Sequence, residues 1–284
     1  MKIGCHVSIA GGIENAPSRA RQLDCESFQM FTRSPRGGKA KEITPQIAQI
    51  FLDECEKADF KPSSDYVTHT SYFINLASEN NRIYYGSISS LRKELEVASL
   101  IKAPFVITHI GSSKDLKGKN IQKQINKKVM KGIKKIHENY QGEALLVLEI
   151  AAGSGNIIGD NFEEIGFFIK QAKKDGINLG FCFDTCHSFA AGYDLRTSQS
   201  TDQVFEQIDK IIGIENLKCI HFNDSMAPFD SHKDQHEHIG KGEIGEEGLK
   251  EVINQVKGLD INVILETKHD KIEEDLELTK NFAK

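Results

Sequence analysis

The sequence predicts an α/β fold, and within that class a closed (β/α)8 TIM barrel. Eight short apolar runs of strand length alternate with segments that show a helical pattern of apolar residues. Histidine, aspartate or glutamate residues stand at the ends of most of these runs. A closed barrel brings the carboxyl ends of all its strands to one face, whereas an open doubly wound sheet would leave the third and eighth strands apart. We therefore predict a single TIM-barrel domain over residues 1–284.

The predicted strands are buried and parallel, because their apolar runs are nearly continuous rather than alternating. They occupy Lys2–Val7, Ser27–Thr32, Tyr66–His69, Phe105–Ile110, Leu145–Ile150, Leu179–Asp184, Leu217–Phe222 and Asn262–Glu266. Apolar residues three and four positions apart predict helices between these strands. In one such helix, from Ile121 to Ile136, mostly outward positions are occupied by Lys127, Lys128, Lys131, Lys134 and Lys135.

Length and composition limit the class of protein. At 284 residues the chain suits one barrel of about 250 residues, and 39% hydrophobic residues are enough for its core. No apolar run approaches the ~20 residues that a membrane helix requires, and the first residues lack the apolar centre of a signal peptide. We expect a cytoplasmic monomer with no membrane partner.

The net charge and the cysteines indicate which partners and which redox compartment to expect. The net charge of −5 argues mildly against a nucleic-acid partner. Three bound divalent cations would bring that charge to about +1 and would make their pocket attractive to phosphate. The six cysteines include no CxxC pair, so free thiols in a reducing compartment are expected.

Three connections are longer than a compact barrel needs, which is typical of functional loops. Thr32–Glu42 is basic and contains two glycines, Thr70–Ser78 contains Tyr72 and Phe73, and Asn223–Gly245 is rich in histidine and aspartate. The last of these ends in a GxGxxG pattern. No strand precedes that pattern, so tight turns are expected there rather than a dinucleotide site.

Nine side chains that can bind a metal stand at strand ends or in the last long connection. They are His69, His109, Glu149, Asp184, His187, His221, Asp234, His236 and Glu266. Each motif alone is weak, since a strand histidine can be a bonded core residue and an aspartate can cap a helix. Carboxylates inside apolar runs, however, must be paired or bound to metal. Five histidines and four carboxylates suit about three ions, and this ligand set favours Zn²⁺ over Mn²⁺ or Fe²⁺.

Seven of these nine residues lie in stretches that resemble the endonuclease IV family of zinc-dependent apurinic/apyrimidinic endonucleases. The matching stretches are HVSIAGG (His6–Gly12), HTSYFINLAS (His69–Ser78), FDTCHSFAAGYD (Phe183–Asp194), HFNDS (His221–Ser225), DQHEHIGKGEIG (Asp234–Gly245) and ILET (Ile264–Thr267). The resemblance extends over essentially the whole chain, and FDTCHSFAAGYD and the Asp-x-His loop are its most specific parts.

The resemblance implies three zinc ions, with Mn²⁺ as the alternative occupant of one site. The first would be bound by His69 and His109, and Glu149 would bridge it to the second. The remaining ligands divide into two sets, namely Asp184, His221 and Glu266 for the second ion, and His187, Asp234 and His236 for the third. Glu149 is also the expected catalytic residue, because a bridging carboxylate can orient the attacking water.

The resemblance also implies a DNA-repair reaction on double-stranded DNA that contains abasic sites. The backbone would be cut 5′ to the abasic site, leaving a 3′-hydroxyl and a 5′-deoxyribose phosphate. An abasic nucleotide is extruded easily, and wedge side chains can fill the gap. Arg36, Tyr72 and Phe73 are the expected wedges and DNA contacts. The chain departs from the family pattern in having no tryptophan after this arginine. Nearby phosphates would meet Arg33, Lys39 and Lys41.

Two other functions remain open at the level of the sequence. A sugar isomerase or epimerase on the same barrel would need only an inner set of ligands: Glu149, Asp184, His221 and Glu266. The remaining five ligands would be surplus for that chemistry, so they favour phosphodiester hydrolysis. A catalytically silent DNA- or metal-binding scaffold is the third class, and the intact ligand set argues against it.

Overall fold

The computed structural model describes residues 1–34 and 42–284. Eight parallel strands in this part of the chain close into a barrel, in which each strand pairs with its neighbours in sequence and the last pairs with the first. They are β1 (Lys2–His6), β2 (Ser27–Phe31), β3 (Tyr66–His69), β4 (Phe105–Thr108), β5 (Leu145–Glu149), β6 (Leu179–Asp184), β7 (Leu217–His221) and β8 (Asn262–Leu265). The prediction of a TIM barrel is confirmed.

Nine α-helices occur in the described residues, and most of them cover the outside of the barrel. They are α1 (Ala16–Gln22), α2 (Pro45–Lys57), α3 (Asn81–Leu100), α4 (Ile121–His137), α5 (Phe162–Lys174), α6 (Thr185–Ala190), α7 (Ser198–Ile211), α8 (Gly245–Val256) and α9 (Ile272–Phe282). Each long helix buries the apolar stripe that its sequence predicts, for example Val129 and Ile133 in α4. None of the helices in these described ranges is long and apolar enough to cross a membrane.

The barrel interior is a small apolar floor below the carboxyl ends of the strands. It consists of Val67, Phe105, Ile107, Val147, Cys182, Cys219 and Ile264. The larger core lies between strands and helices. Because strand residues alternate between these two environments, the last inward position of each strand is presented above the floor.

Two short antiparallel ribbons shape the loops at that face. Gly111–Ser112 pairs with Ile157–Ile158, and Asp224–Ser225 pairs with His236–Glu237. The second ribbon is secured by the buried Asp224 carboxylate, which accepts backbone N–H groups of Gly242 and Ile244, each at 3.0 Å. The GxGxxG stretch therefore forms the tight turns that the sequence predicts, and the structure places them around a carboxylate.

Candidate metal centre

The nine predicted ligands all lie at the carboxyl-terminal face of the barrel. Four of them are the last residues of strands, and two follow a strand directly: His69 ends β3, Glu149 ends β5, Asp184 ends β6, His221 ends β7, His109 follows β4 and Glu266 follows β8. The other three lie on a helix or loop: His187 in α6, and Asp234 and His236 in the connection after β7. The strand register thus brings residues almost 200 positions apart to one place.

Glu149 lies at the centre of the cluster and is almost completely buried. Its Oε2 atom is 2.8 Å from His69 Nε2 and 3.4 Å from His109 Nε2. Its Oε1 atom is 2.9 Å from His221 Nδ1 and 3.4 Å from His187 Nδ1. The two oxygens therefore face two different groups of imidazoles, so this carboxylate could contact a cation bound by either group.

A second group surrounds His221 and contains the two remaining strand-end carboxylates. His221 Nδ1 is 3.4 Å from Glu266 Oε2 and 3.9 Å from Asp184 Oδ2. Asp184 is fully buried, and its two oxygens accept hydrogen bonds from the backbone N–H of His187 and the side-chain amide of Asn223. Asp184 is thus both the N-cap of α6 and part of the cluster.

A third group is formed by the helix and loop residues. Asp234 Oδ1 is 3.2 Å from His187 Nε2 and 3.4 Å from His236 Nε2. The carboxylate of Asp234 is more than half exposed, whereas His187 is buried. His236 Nε2 also lies 3.8 Å from Asp184 Oδ2, so this group adjoins the second one. This group is accessible from solvent on the side of Asp234.

These separations fit zinc. Tetrahedral Zn²⁺ with bonds of about 2.0–2.1 Å places neighbouring ligand atoms about 3.3 Å apart. The five pairs at 3.2–3.4 Å that join Asp234, Glu149 and Glu266 to histidines have this spacing. In addition, the buried His236 Nε2 has no hydrogen-bond partner among the described residues. Buried ring nitrogens without a partner are costly, and a cation at this position would satisfy that nitrogen.

Burial and charge pairing shift the pKa values of the cluster. Burial opposes ionisation of Glu149, but His109 and His221 hold its pKa well below the usual value. Burial also disfavours the charged form of His221, yet Glu266 and Glu149 raise its pKa well above the usual range. Burial lowers the pKa of His109. Protonated imidazoles thus compensate the negative charge of the carboxylates. A metal ion that took the place of the imidazole protons would release those protons on binding.

Cysteine thiols lie near the cluster but are poor candidates for ligands. Cys182 and Cys219 pair in register two positions before Asp184 and His221, and their sulfur atoms come within reach of a common ion with His221. Burial raises the pKa of the Cys182 thiol well above its usual value. Burial likewise raises the pKa of Cys186 to about 12. Because the thiolate is the metal ligand, these cysteines are better described as apolar packing.

Gln29 on β2 is a part of the site that sequence reasoning missed. Its Nε2 atom donates to Glu266 Oε1 at 2.6 Å, and its Oε1 atom lies 2.8 Å from His221 Nε2. The same Nε2 is 3.0 Å from Nδ1 of His6, whose pKa is lowered by burial to about 4 and which therefore accepts. The sequence held a signal, since a glutamine inside an apolar strand must find buried partners.

The predicted DNA contacts Tyr72 and Phe73 lie at the rim. Their side chains are 72% and 61% exposed, which is unusual for large aromatic residues and leaves them free to meet a ligand. Together with His109, His187 and Asp234 they line a cavity of about 490 Å³. The cavity therefore connects two aromatic side chains to the first and third ligand groups.

The basic rim loop is described only in part. Arg36, which the sequence analysis singles out as a wedge, lies outside the described residues, as do Lys39 and Lys41. Arg33 is described, and its guanidinium donates to Glu94 at 2.6 Å and to Ser90 at 2.9 Å. This partly buried ion pair ties Arg33 to α3, so the expectation that it meets a phosphate is not supported by its contacts.

Comparisons with known proteins agree with the fold and show the family. The family model of the xylose isomerase-like TIM barrel matches residues 17–282. A curated relative from Halothermothrix orenii, named probable endonuclease 4, is 39% identical, and the alignment covers 98% of each chain. The crystal structure of endonuclease IV from Thermus thermophilus superposes with a TM-score of 0.84 at 30% identity, covering 99% of this chain and 98% of the other. A D-tagatose 3-epimerase-like protein shares the fold, with a TM-score of 0.75 at 19% identity.

The fold and the cluster thus define a xylose isomerase-like TIM barrel with a histidine and carboxylate site at the carboxyl ends of its strands. Within that class, the chain belongs to the endonuclease 4 family. The family resemblance inferred from the sequence motifs is confirmed.

Proposed function

We propose that the protein is an apurinic/apyrimidinic endonuclease of DNA repair. It would hydrolyse the phosphodiester on the 5′ side of an abasic site in double-stranded DNA, leaving a 3′-hydroxyl and a 5′-deoxyribose phosphate. One observation supports this function above others: the group of His187, Asp234 and His236 adjoins the Glu149 cluster. A sugar isomerase would have no use for that group, and the relatives that match over the full length are named endonucleases.

Three zinc ions would fit the three groups of ligands, with Mn²⁺ as the alternative occupant of one of them. His69 and His109 would hold the first, the Asp184, His221 and Glu266 side chains the second, and the loop group the third. Bound zinc would supply Lewis acidity toward the phosphate and a water of lowered pKa. Four ligand carboxylates against three dications leave the pocket positive, which favours a phosphate there.

Glu149 would be the catalytic residue among the ligands. Its oxygens face imidazoles on both sides, so the carboxylate would fix the separation of two ligand groups and orient the attacking water between them. Because it is buried on the rigid end of β5, it would do this without reorganisation in the transition state.

Substrate selection would depend on the rim. Extruding an abasic nucleotide costs less than extruding a paired base, and the cavity beside His109 could receive it. Tyr72 and Phe73 would contact the gap left in the duplex, and Arg36 would complete this contact.

The test is incision of a duplex with one abasic site, compared with the undamaged duplex. Glu149→Gln should reduce incision by about 10²-fold or more, since it removes the charge that two ligand groups share. Glu164→Gln is the matched control, because the Glu164 carboxylate is also buried but hydrogen-bonds the Gln122 side chain and the Gly159 N–H rather than any of the nine candidate ligands. The proposal fails if Glu149→Gln cuts abasic DNA at the wild-type rate.

Metal analysis separates this function from that of an isomerase. A ratio of about three zinc ions per chain supports the nuclease, and a ratio of about one supports a sugar isomerase. Tyr72→Ala should weaken the preference for abasic over intact duplex without changing the metal content. Equal binding of both duplexes by the wild type would contradict the assigned role of the rim.

A further inference from the structure

A basic segment begins at the candidate metal centre and leads away from it. Residues 114–137 contain nine lysines and one aspartate, a formal charge of +8, so the rest of the chain carries −13 to give the overall −5. We propose that the end of this segment nearest the site, Lys114, Lys117, Lys119 and Lys123, is a second contact surface for the phosphate backbone of duplex DNA. The proposal rests on the proposed function and extends it to the undamaged duplex that flanks the lesion.

The segment is continuous with the cavity of the candidate site. Lys114 lines that cavity together with His109 and Asp234. Helix α4 begins at Ile121, and a helix that returns between parallel barrel strands begins on the side of their carboxyl ends. Lys117, Lys119 and Lys123 therefore lie on the side of the metal centre. Lys135 lies twelve residues beyond Lys123, about 18 Å further along the helix at 1.5 Å per residue.

The near lysines are available to a ligand. All four are exposed, and none lies within 4.0 Å of a carboxylate oxygen in the ranges that the structure describes. Two of the five lysines further along the helix are compensated, since Lys128 pairs with Glu79, and Lys134 Nζ is 2.9 Å from Asp175 Oδ1. The positive charge of the segment is thus least neutralised at the end that adjoins the site.

Duplex DNA is the ligand that suits this surface. Each DNA strand presents one phosphate charge per 3.4 Å of helix axis, so a row of lysines can meet several phosphates at once. Lysine ammonium groups act as point charges on flexible stems, which favours contacts to the backbone rather than to base edges. Because the row starts in the cavity that would receive the abasic nucleotide, the flanking duplex is the nearest polyanion.

The test compares two triple variants with the same change of charge. Lys117→Gln, Lys119→Gln and Lys123→Gln remove the near charges. The control, Lys131→Gln, Lys134→Gln and Lys135→Gln, removes three charges at the far end of α4. Binding to an undamaged duplex is measured over a series of salt concentrations. The near variant should flatten the slope of log K against log [salt] by up to about 2.7, which corresponds to three phosphate contacts, and the control should keep the wild-type slope.

Incision kinetics supply a second readout. The near variant should raise KM for a long duplex with a central abasic site and leave kcat unchanged, because the lysines contact only the flank. A short duplex that covers only the lesion should show no difference between the variants and the wild type. Replacing the same three near lysines with arginine should restore the salt slope, which a loss of folding would not allow.

The outcomes are distinct from those that test the proposed function. An unchanged slope in the near variant, or an equal flattening in the control, overturns the contact surface even if abasic DNA is cut. If the wild type does not cut abasic DNA but the near variant alone flattens the slope, the proposed function fails and the surface stands as a DNA-binding site.

Discussion

Gln29→Met is the change that most directly tests how the candidate metal centre is organised. The Gln29 side chain is buried in β2 and connects His221, Glu266 and His6. A carboxylate only accepts hydrogen bonds, so the amide nitrogen must face Glu266 and the amide oxygen must face His221 Nε2. His221 is thereby held with Nε2 protonated and Nδ1 directed toward Glu149. Methionine has a similar size and shape but offers no strong donor or acceptor.

The expected magnitude follows from the groups left without partners. The variant removes a donor to the Glu266 carboxylate at 2.6 Å and an acceptor for the fully buried His221 ring at 2.8 Å. A buried polar group left unsatisfied costs about 1–3 kcal/mol. Loss of a hydrogen bond that orients a metal-binding histidine typically weakens metal affinity by about 10–100-fold, or about 1.4–2.7 kcal/mol. We expect a loss in this range, confined to the ion that His221 and Glu266 would hold.

For the proposed zinc-bound form, the assay is the release of zinc to a competing chelator, followed together with the zinc content of the purified protein. The Gln29→Met variant should lose one class of zinc faster than the wild type while the other classes keep their release rates. Gln29→Glu should lose it faster still, because an added carboxylate would face Glu266. If Gln29→Met keeps the full zinc content and the wild-type release rate, the assignment of Gln29 as a positioning residue is wrong.

Three further outcomes are expected. Prolonged chelation should lower the unfolding temperature, because a metal bound only by the folded state stabilises it; an unchanged midpoint would argue against resident ions. Burial opposes the ionisation of Asp65, but hydrogen bonds from Lys2 and a backbone N–H lower its pKa. The ionised Asp65 therefore stabilises the folded state fully above about pH 4, and this stabilisation declines as the pH falls. Asp65→Asn should therefore cost about 1–3 kcal/mol at neutral pH and less in acid, measured by urea unfolding. Gly242→Ala should destabilise by about 1–3 kcal/mol, since its Cβ would lie 2.3 Å from the Ser225 carbonyl oxygen, whereas Gly86→Ala, at an open position in a helix, should be neutral or stabilising.

The sequence was sufficient to predict the barrel and the gathering of nine potential metal ligands at one of its faces. Each apolar run became a strand, and runs were overestimated only at their ends, as at β4, which stops at Thr108 rather than Ile110. That difference matters for His109, which follows the strand instead of lying on it. Hydrophobic periodicity marks where a strand is buried, but it does not mark where the ladder of hydrogen bonds stops.

The hydrogen bonds that Gln29 makes to the candidate ligands could not be predicted from sequence patterns. Gln29 and His221 are 192 positions apart, and their contact depends on the closure of β1 onto β8. Arg33 shows the same limit of sequence patterns, because here the sequence suggests a contact that the structure does not support. A basic residue in a loop suggests a phosphate contact when only the sequence is known. In the structure, the guanidinium of Arg33 is paired with the buried Glu94 carboxylate on a neighbouring helix.

The two parts of the ligand set also differ in how the fold secures them. Glu149, Asp184 and His221 end adjacent strands, so the barrel register fixes their separations. Asp234 and His236 are held by a two-residue ribbon and by packing of the following loop against α9, where His238 Nδ1 is 2.8 Å from a carboxylate. A barrel alone thus supplies the inner ligands that a sugar isomerase would also use. Among the ligands that favour phosphodiester hydrolysis, Asp234 and His236 depend on loop packing instead, so they are the ligands that loop substitutions would remove first.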